Sequence, residues 1–244
     1  MARALFISDL HLASERPATS ERFFRFLGDE AARAATLYIL GDLFEYWIGD
    51  EELSAADGDP LARRVARGLR QLADSGTAVH LMHGNRDFLL GRGFCAASGA
   101  LLLDDPALVQ LDGAPALLMH GDTLCTDDHD YQAWRRTARS EGWQREFLQQ
   151  PLATRRETIL QLRERSKAVI SGKPAEIMDV TPEAVHAAFR RHSVARLIHG
   201  HTHRAGRHDL EVDGARRERW VLPDWYGPGG YLVIDDVGAR LVGF

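Results

Sequence analysis

Five short apolar runs in this 244-residue chain each end in a cluster of residues able to bind a metal or a phosphate, and this recurrence constrains the fold more than anything else in the sequence. ALFIS runs into Asp9 and His11, LYIL into Gly41-Asp42, AVHLM into His83-Gly84-Asn85, ALLM into His120, and RLI into His199. Short β-favouring runs bounded by Gly and Asp read as buried strands. Between the first three, residues 20–34 place Phe23, Phe24, Phe26 and Leu27 on an apolar helical face, and 60–74 space Leu61, Val65, Leu69 and Leu72 as a helix does. Strands alternating with helices give a layered α/β fold, and ligands in such sheets collect where the carboxyl ends of the strands open. The polar clusters are therefore predicted to converge on one edge.

Elsewhere the pattern changes. Residues 124–178 are polar and helix-favouring, interrupted at Pro151 and at Gly172 to Pro174, and too long for a loop. They read as a helical insertion over the active edge, leaving 1–123 and 179–244 as the core. The tail, 208–244, alternates apolar and polar residues around glycine turns, as antiparallel strands closing the fold would. A net charge of −5 argues against nucleic-acid binding by bulk electrostatics. Cys95 and Cys125 have neither disulfide-framework nor zinc-knuckle spacing, which suits reduced thiols in the cytoplasm. The first residues lack the pattern of a signal peptide, and no apolar run approaches the ~18 residues of a membrane span.

A lone histidine beside a strand is more often hydrogen-bonded structure than a ligand. Asp9, His11, Asp42, Asn85 and His120, with up to three histidines in His199-Gly200-His201-Thr202-His203, are harder to explain blandly when they stand at five strand ends. Mixed nitrogen and oxygen donors without cysteine suit Mn²⁺, Fe²⁺, Co²⁺, Ni²⁺ or Zn²⁺ better than Ca²⁺ or Mg²⁺ alone. The donors exceed the need of one ion, whereas two ions about 3.5–4 Å apart sharing a carboxylate would use them all.

SDLHL, GDLFE, GNRD, HGD and HGHTH occur in the order of the calcineurin-like metallophosphoesterase signature, across residues 8–203. More narrowly, GDLFEYWIGD, HGNRDFLLG, HGDTLCTDD, SKAVISGKPAEIMDV and LIHGHTHR resemble the UDP-2,3-diacylglucosamine hydrolases of the lipid A pathway along nearly the whole chain. The resemblance implies a layered β-sandwich core flanked by helices, with the insertion as a lid for two acyl chains. It implies two Mn²⁺ ions, one held by Asp9, His11, Asp42 and His203, the other by Asp42, Asn85, His120 and His201, with Asp42 bridging. His199 is left over, and is expected either to support a ligand from behind or to be structural. Substrate contacts would fall on Asn85, Arg86, Asp128, Ser166, Lys173 and His201. Ile170 stands where the family often has a polar side chain, and Pro223 interrupts the usual sequence before Trp225. The implied reaction is attack of hydroxide on the α-phosphorus of UDP-2,3-diacylglucosamine, yielding UMP and lipid X, with Asp42, Asn85, Arg86 and His120 catalytic. A lipid-linked substrate further implies peripheral attachment at the cytoplasmic face of the inner membrane, against acidic headgroups.

Arg86, in HGNRD, is informative in its own right. The wider superfamily often has a histidine there, able to protonate a departing alkoxide whose conjugate acid has a pKa of about 15. A phosphomonoester, with a second pKa of about 6, leaves as an anion without such help. Spreading charge over two phosphates instead calls for a fixed cation with several donors, which a guanidinium supplies. Arg86 thus argues for a diphosphate substrate; the plain alternative is an ion pair with Asp87. Residues 131–173 also carry ten Arg and Lys against four Glu, interleaved with Tyr131, Trp134, Trp143, Phe147 and Leu160. That composition suits an amphipathic lid facing an anionic partner, or else a helical pair packed on the core. The rival functions are a phosphoesterase acting on nucleotides or nucleic acid, and a non-catalytic scaffold; the second sits badly with a complete ligand set.

Overall fold

The computed structural model describes residues 2–170 and 177–244, with the backbone alone for 165–170. Strand β1 (Ala4–Ile7) leads into helix α1 (Pro17–Asp29), β2 (Thr36–Leu40) into α2 (Pro60–Asp74), and β3 (Ala78–Met82) into α3 (Arg92–Ser98) and the short β4 (Leu101–Leu103). The hairpin β5 (Ala107–Leu111) and β6 (Ala114–Leu118) precedes α4 (His129–Ala138), α5 (Glu141–Leu148), α6 (Leu152–Ile170) and α7 (Pro182–His192). The chain then returns as β7 (Arg196–His199), β8 (Gly206–Val212), β9 (Ala215–Val221), β10 (Gly230–Asp235) and β11 (Gly238–Gly243).

Among the described residues two sheets face each other, ordered β11-β10-β1-β2-β3-β4 and β5-β6-β7-β9-β8. β1 to β4 run parallel, as do the neighbours β6, β7 and β9. Alternation along each strand explains the layering: Phe6, Tyr38, Leu40 and Met82 point between the sheets, where they meet Leu118, Ile198 and Trp220. Leu5, Ile7, Leu37, Ile39 and Leu81 point the other way, onto Phe23, Phe26, Val65 and Leu69 of α1 and α2. A strand covered on both faces has no polar alternation, which is why these runs are apolar throughout. Helix starts follow local chemistry: Asp59 caps α2 through Leu61 N, Thr181 caps α7 through Ala184 N, and both helices have proline in the first turn. β4 and β5 are absent from the sequence reading. Leu101 and Leu102, on the edge strand β4, are 62% and 42% exposed, so their apolar run marks no buried strand.

Four arginines of α4 and α6, Arg135, Arg155, Arg156 and Arg163, pair with carboxylates of the core. Arg155 is 3% exposed, donates to Ile48 O at 2.6 Å and pairs with Glu51 at 3.2 Å. Arg156 pairs with Glu52 at 3.1 Å, Arg163 with Glu45 at 2.8 Å, and Arg135 of α4 with Asp122 at 2.7 Å. Core carboxylates thus answer much of the positive charge expected to seek an outside partner. Each pair keeps one partner partly open to solvent, which screens it, so these contacts orient α6 on the segment that follows Asp42 without the full strength of buried ion pairs. Trp143 and Phe147 stack at 4.9 Å and join the same apolar core, leaving Trp134, Leu148 and Leu160 exposed. No helix among the described residues is long and apolar enough to cross a membrane.

Candidate metal centre

Each predicted ligand sits just past a strand: Asp9 and His11 after β1, Asp42 after β2, Asn85 after β3, His120 after β6, His201 and His203 after β7. Backbone pairing runs on beyond the strands, with Asp9 N donating to Gly41 O at 3.1 Å, His11 N to Asp42 O at 2.9 Å and Gly200 N to His120 O at 2.8 Å. The loops therefore behave as a rigid rim. Asp9, His11, Asp42, His201 and His203 all have φ between 50° and 69°. Non-glycine residues in this region cost about 1–3 kcal/mol each and persist where the surroundings enforce them, commonly at functional sites. Two glycines explain the spelling of the motifs: a Cβ on Gly84 would lie 2.0 Å from Asp42 Oδ1, and one on Gly200 would lie 2.3 Å from Asp9 Oδ2.

The side chains meet in one place. Asp9 Oδ2 accepts from Ser8 Oγ at 2.6 Å and His201 N at 2.9 Å, which turns Oδ1 toward His203 Nε2 at 3.4 Å and His11 Nε2 at 4.0 Å. Asp42 Oδ1 accepts from Arg86 N at 2.8 Å and lies 3.9 Å from His120 Nε2, while Oδ2 lies 3.7 Å from His11 Nε2. Asn85 Oδ1 is 2.9 Å from both His120 Nε2 and His201 Nδ1. Asp9–His11–His203 and Asp9–Asp42–His120 each bring three donor atoms within 4.8 Å of one another. Asp9 Oδ1 and both ring nitrogens of His11 are buried without a hydrogen-bond partner, which a cation would remedy. His120 Nδ1 faces Leu40 O at 2.9 Å; donating its proton there leaves the Nε2 lone pair facing the cluster. Largely buried, with three orphaned polar atoms and uniformly nitrogen or oxygen, the donor set fits a divalent metal.

Electrostatics agrees. Burial raises the Asp42 carboxyl to about 7 against the pull of His120. Burial by itself would lower His120, yet Asp42, Asp9 and Asp122 carry it up to about 9. Burial works upward on Asp9 too, but His203, His120 and His11 hold it well below the usual carboxylate range. His11 and His201, driven down by burial to about 3 and about 4, stay neutral and ready to ligate. Without a cation the cluster thus retains protons at neutral pH. Metal uptake at pH 7 is expected to release about one proton or more per chain, measured by calorimetry in buffers of different ionisation enthalpy. No buffer dependence would show that the cluster holds no displaceable proton.

The remaining predicted residues divide. His199 lies apart, Nδ1 against Gly200 O at 2.8 Å and Nε2 against Arg219 at 3.0 Å, a neutral buried ring held down by burial to about 3. Asp87 accepts from the backbone N–H of Leu43 at 2.7 Å and Gly84 at 2.8 Å, with Asp42 N and Phe44 N each at 3.3 Å. Its role is to clamp the two ligand loops together, and among the described residues it forms no ion pair with Arg86. The half-buried Arg86 instead directs its charge at His11, Asp42, Glu45 and Tyr226. Asp128 caps α4 through Tyr131 N at 3.1 Å. The side chains of Ser166 and Ile170, and all of Lys173, lie outside the described residues. Sequence reading passed over Glu45 and Asp122. Asp122 accepts from Tyr131 Oη at 2.5 Å and Arg135 Nε at 2.7 Å, and the Tyr131 ring lies 5.9 Å from that of His201. Both acids belong to quoted motifs, GDLFE and HGD, which was the available signal.

Comparison with known proteins places this architecture. The family model described as calcineurin-like phosphoesterase matches residues 2–205. The UDP-2,3-diacylglucosamine hydrolase of Pseudomonas paraeruginosa is 50% identical over 240 residues, covering 98% of each chain. The chain belongs to the UDP-2,3-diacylglucosamine hydrolase family of calcineurin-like phosphoesterases. Proteins of the same name from Marinobacter nauticus, 52% identical over 91% of this chain and 88% of theirs, and Cellvibrio japonicus, 48% identical over 97% of both, extend the likeness. The chain is thus a metallophosphoesterase-type hydrolase, and this cluster is its candidate divalent-metal site.

Proposed function

We propose that the protein hydrolyses the pyrophosphate bond of UDP-2,3-diacylglucosamine at the α-phosphorus, giving UMP and 2,3-diacylglucosamine 1-phosphate. The observation that carries this reading is half identity, over nearly the whole chain, to proteins named for that substrate. Two Mn²⁺ ions are the proposed cofactors, one on Asp9, His11, Asp42 and His203 and the other on Asp42, Asn85, His120 and His201. Bound divalent metal supplies a water acidic enough to attack at neutral pH and neutralises phosphate charge. Asp42 then holds the centre together from both carboxylate oxygens, and Asn85 and His201 present their polar atoms to the same space. Arg86 offers its fork to the diphosphate, and the leaving group, 2,3-diacylglucosamine 1-phosphate, departs as a phosphate anion that needs no proton from the chain.

Residues 124–178 serve in this reading as a lid receiving the acyl chains, with Trp134, Leu148 and Leu160 as exposed apolar surface. A cavity of about 200 Å³ lies where α6 meets the core, with Leu12, Phe44, Trp47 and Ile48 on its lining beside the charged Glu15, Glu52, Asp59 and Arg156. Asp128, Ser166, Ile170 and Lys173 complete the proposed substrate contacts. Peripheral attachment to the acidic cytoplasmic face of the inner membrane follows from the lipid substrate, and nucleic acid is not a proposed partner.

Incubation with UDP-2,3-diacylglucosamine and Mn²⁺ in ¹⁸O-labelled water tests the reaction. The expected label is in UMP and vanishes with chelator. Label in the sugar phosphate would overturn the position of attack; no cleavage would overturn the substrate.

A further inference from the structure

Glu45, three residues beyond Asp42, is 6% exposed and is gripped from several sides. Its Oε1 accepts from Arg163 Nη2 of α6 at 2.8 Å. Its Oε2 accepts from Arg16 Nη2 at 2.9 Å and Tyr226 Oη at 3.2 Å, and lies 3.7 Å from His11 Nδ1. The same groups hold His11 directly: Arg16 donates to its carbonyl oxygen, and the Tyr226 ring stacks on the imidazole at 4.8 Å. One oxygen of a single carboxylate is thus committed to α6 while the other faces a ligand of the proposed metal centre.

Because His11 Nε2 faces Asp9 and Asp42, a ring ligating through that nitrogen carries its proton on Nδ1, opposite Glu45. A carboxylate in that position fixes the ring's tautomer and orientation and raises its basicity. Arg163 is itself steadied by Tyr46, whose ring centroid lies 5.2 Å from the guanidinium carbon. Remove that arginine and Oε1 loses its charged partner, leaving only Arg16 and Tyr226, both on Oε2, to hold the carboxylate against His11.

We propose that Glu45 is a positioning residue for His11, and that Arg163 couples docking of α6 to the metal centre through it. The proposal rests on the metal-dependent hydrolase reading and deepens it: if docking of α6 favours metal, metal must favour docking equally.

The test is Mn²⁺ affinity of the full chain, by competition with a chelating dye, with hydrogen exchange of the α6 amides followed in parallel. Glu45→Gln is expected to weaken Mn²⁺ binding about 10- to 100-fold, and Arg163→Met about 5-fold or more. The sign for Arg163→Met is diagnostic, because deleting a cation beside a cation site should by Coulomb's law alone tighten binding. Mn²⁺ is expected to slow exchange in α6 of the wild-type chain and to have less effect in Glu45→Gln. Binding as tight as wild type, or tighter, in Arg163→Met would overturn the coupling. The near-isosteric Glu45→Gln keeps the proposal open to refutation should Arg163→Met fail to fold. A wild-type chain that takes up no divalent metal would overturn the hydrolase reading as well, whereas tight binding indifferent to both variants would overturn this proposal alone.

Discussion

Asp42→Asn is expected to abolish wild-type metal binding and to lower kcat/KM by about 10⁴-fold or more, because its two carboxylate oxygens face opposite sides of the cluster. Its Oδ2 lies toward His11 and its Oδ1 toward His120, and the residue is almost wholly buried on a backbone held at φ 53°. Asparagine preserves the shape and the acceptor for Arg86 N, so charge alone is removed. The metal-free fold should not suffer. Unfolded, the carboxyl ionises near 3.8; folded, near 7. Between those values the native state binds the extra proton, so this group makes stability fall as pH rises through that window. Its replacement should leave the chelator-treated protein at least as stable as wild type at neutral pH, while the metal-induced rise in Tm disappears. Thermal melts with and without Mn²⁺, alongside turnover, separate the two effects. A variant that still gained stability from Mn²⁺ and turned over normally would remove Asp42 from the centre.

How legible was this site? The ligands stand at strand ends, and a strand end is a local signal: an apolar run, then glycine, then a donor. Singly each such donor is a weak signal; the recurrence of Asp9, His11, Asp42, Asn85, His120, His201 and His203 at five strand ends, in an α/β order that brings those ends together, made them a candidate site. Glu45 escaped because its meaning lies in Arg163, 118 residues later, and no local pattern encodes that pairing. The positive charge of the insertion suggested an outside partner for the same reason: Arg155 and Arg156 find Glu51 and Glu52 104 residues upstream. β4 escaped for a different reason, since an edge strand with exposed leucines lacks the burial that patterns a strand.

Arg86→Ala should behave in the opposite way to Asp42→Asn, retaining the metals and losing turnover. The part of Arg86 that supports the cradle is its backbone N–H, 2.8 Å from Asp42 Oδ1, and alanine keeps it. Asp87 does not depend on the guanidinium either, being occupied by backbone N–H groups from both loops. What alanine removes is a cation whose field falls on His11, Asp42 and Glu45, so Mn²⁺ affinity should hold or tighten slightly. The loss belongs to the transition state, where charge spreads over two phosphates; removing an arginine that clamps phosphoryl groups costs about 10³-fold or more. Arg86→Lys should recover only part of this, since a point charge restores the field but not the paired donors. Substrate choice sharpens the test. A diester such as bis-p-nitrophenyl phosphate has one phosphate and an acidic leaving group, so its hydrolysis should fall far less than that of the UDP lipid. Equal losses on both would make Arg86 a general phosphate ligand, and undiminished turnover of the UDP lipid would remove the chemical argument for a diphosphate altogether.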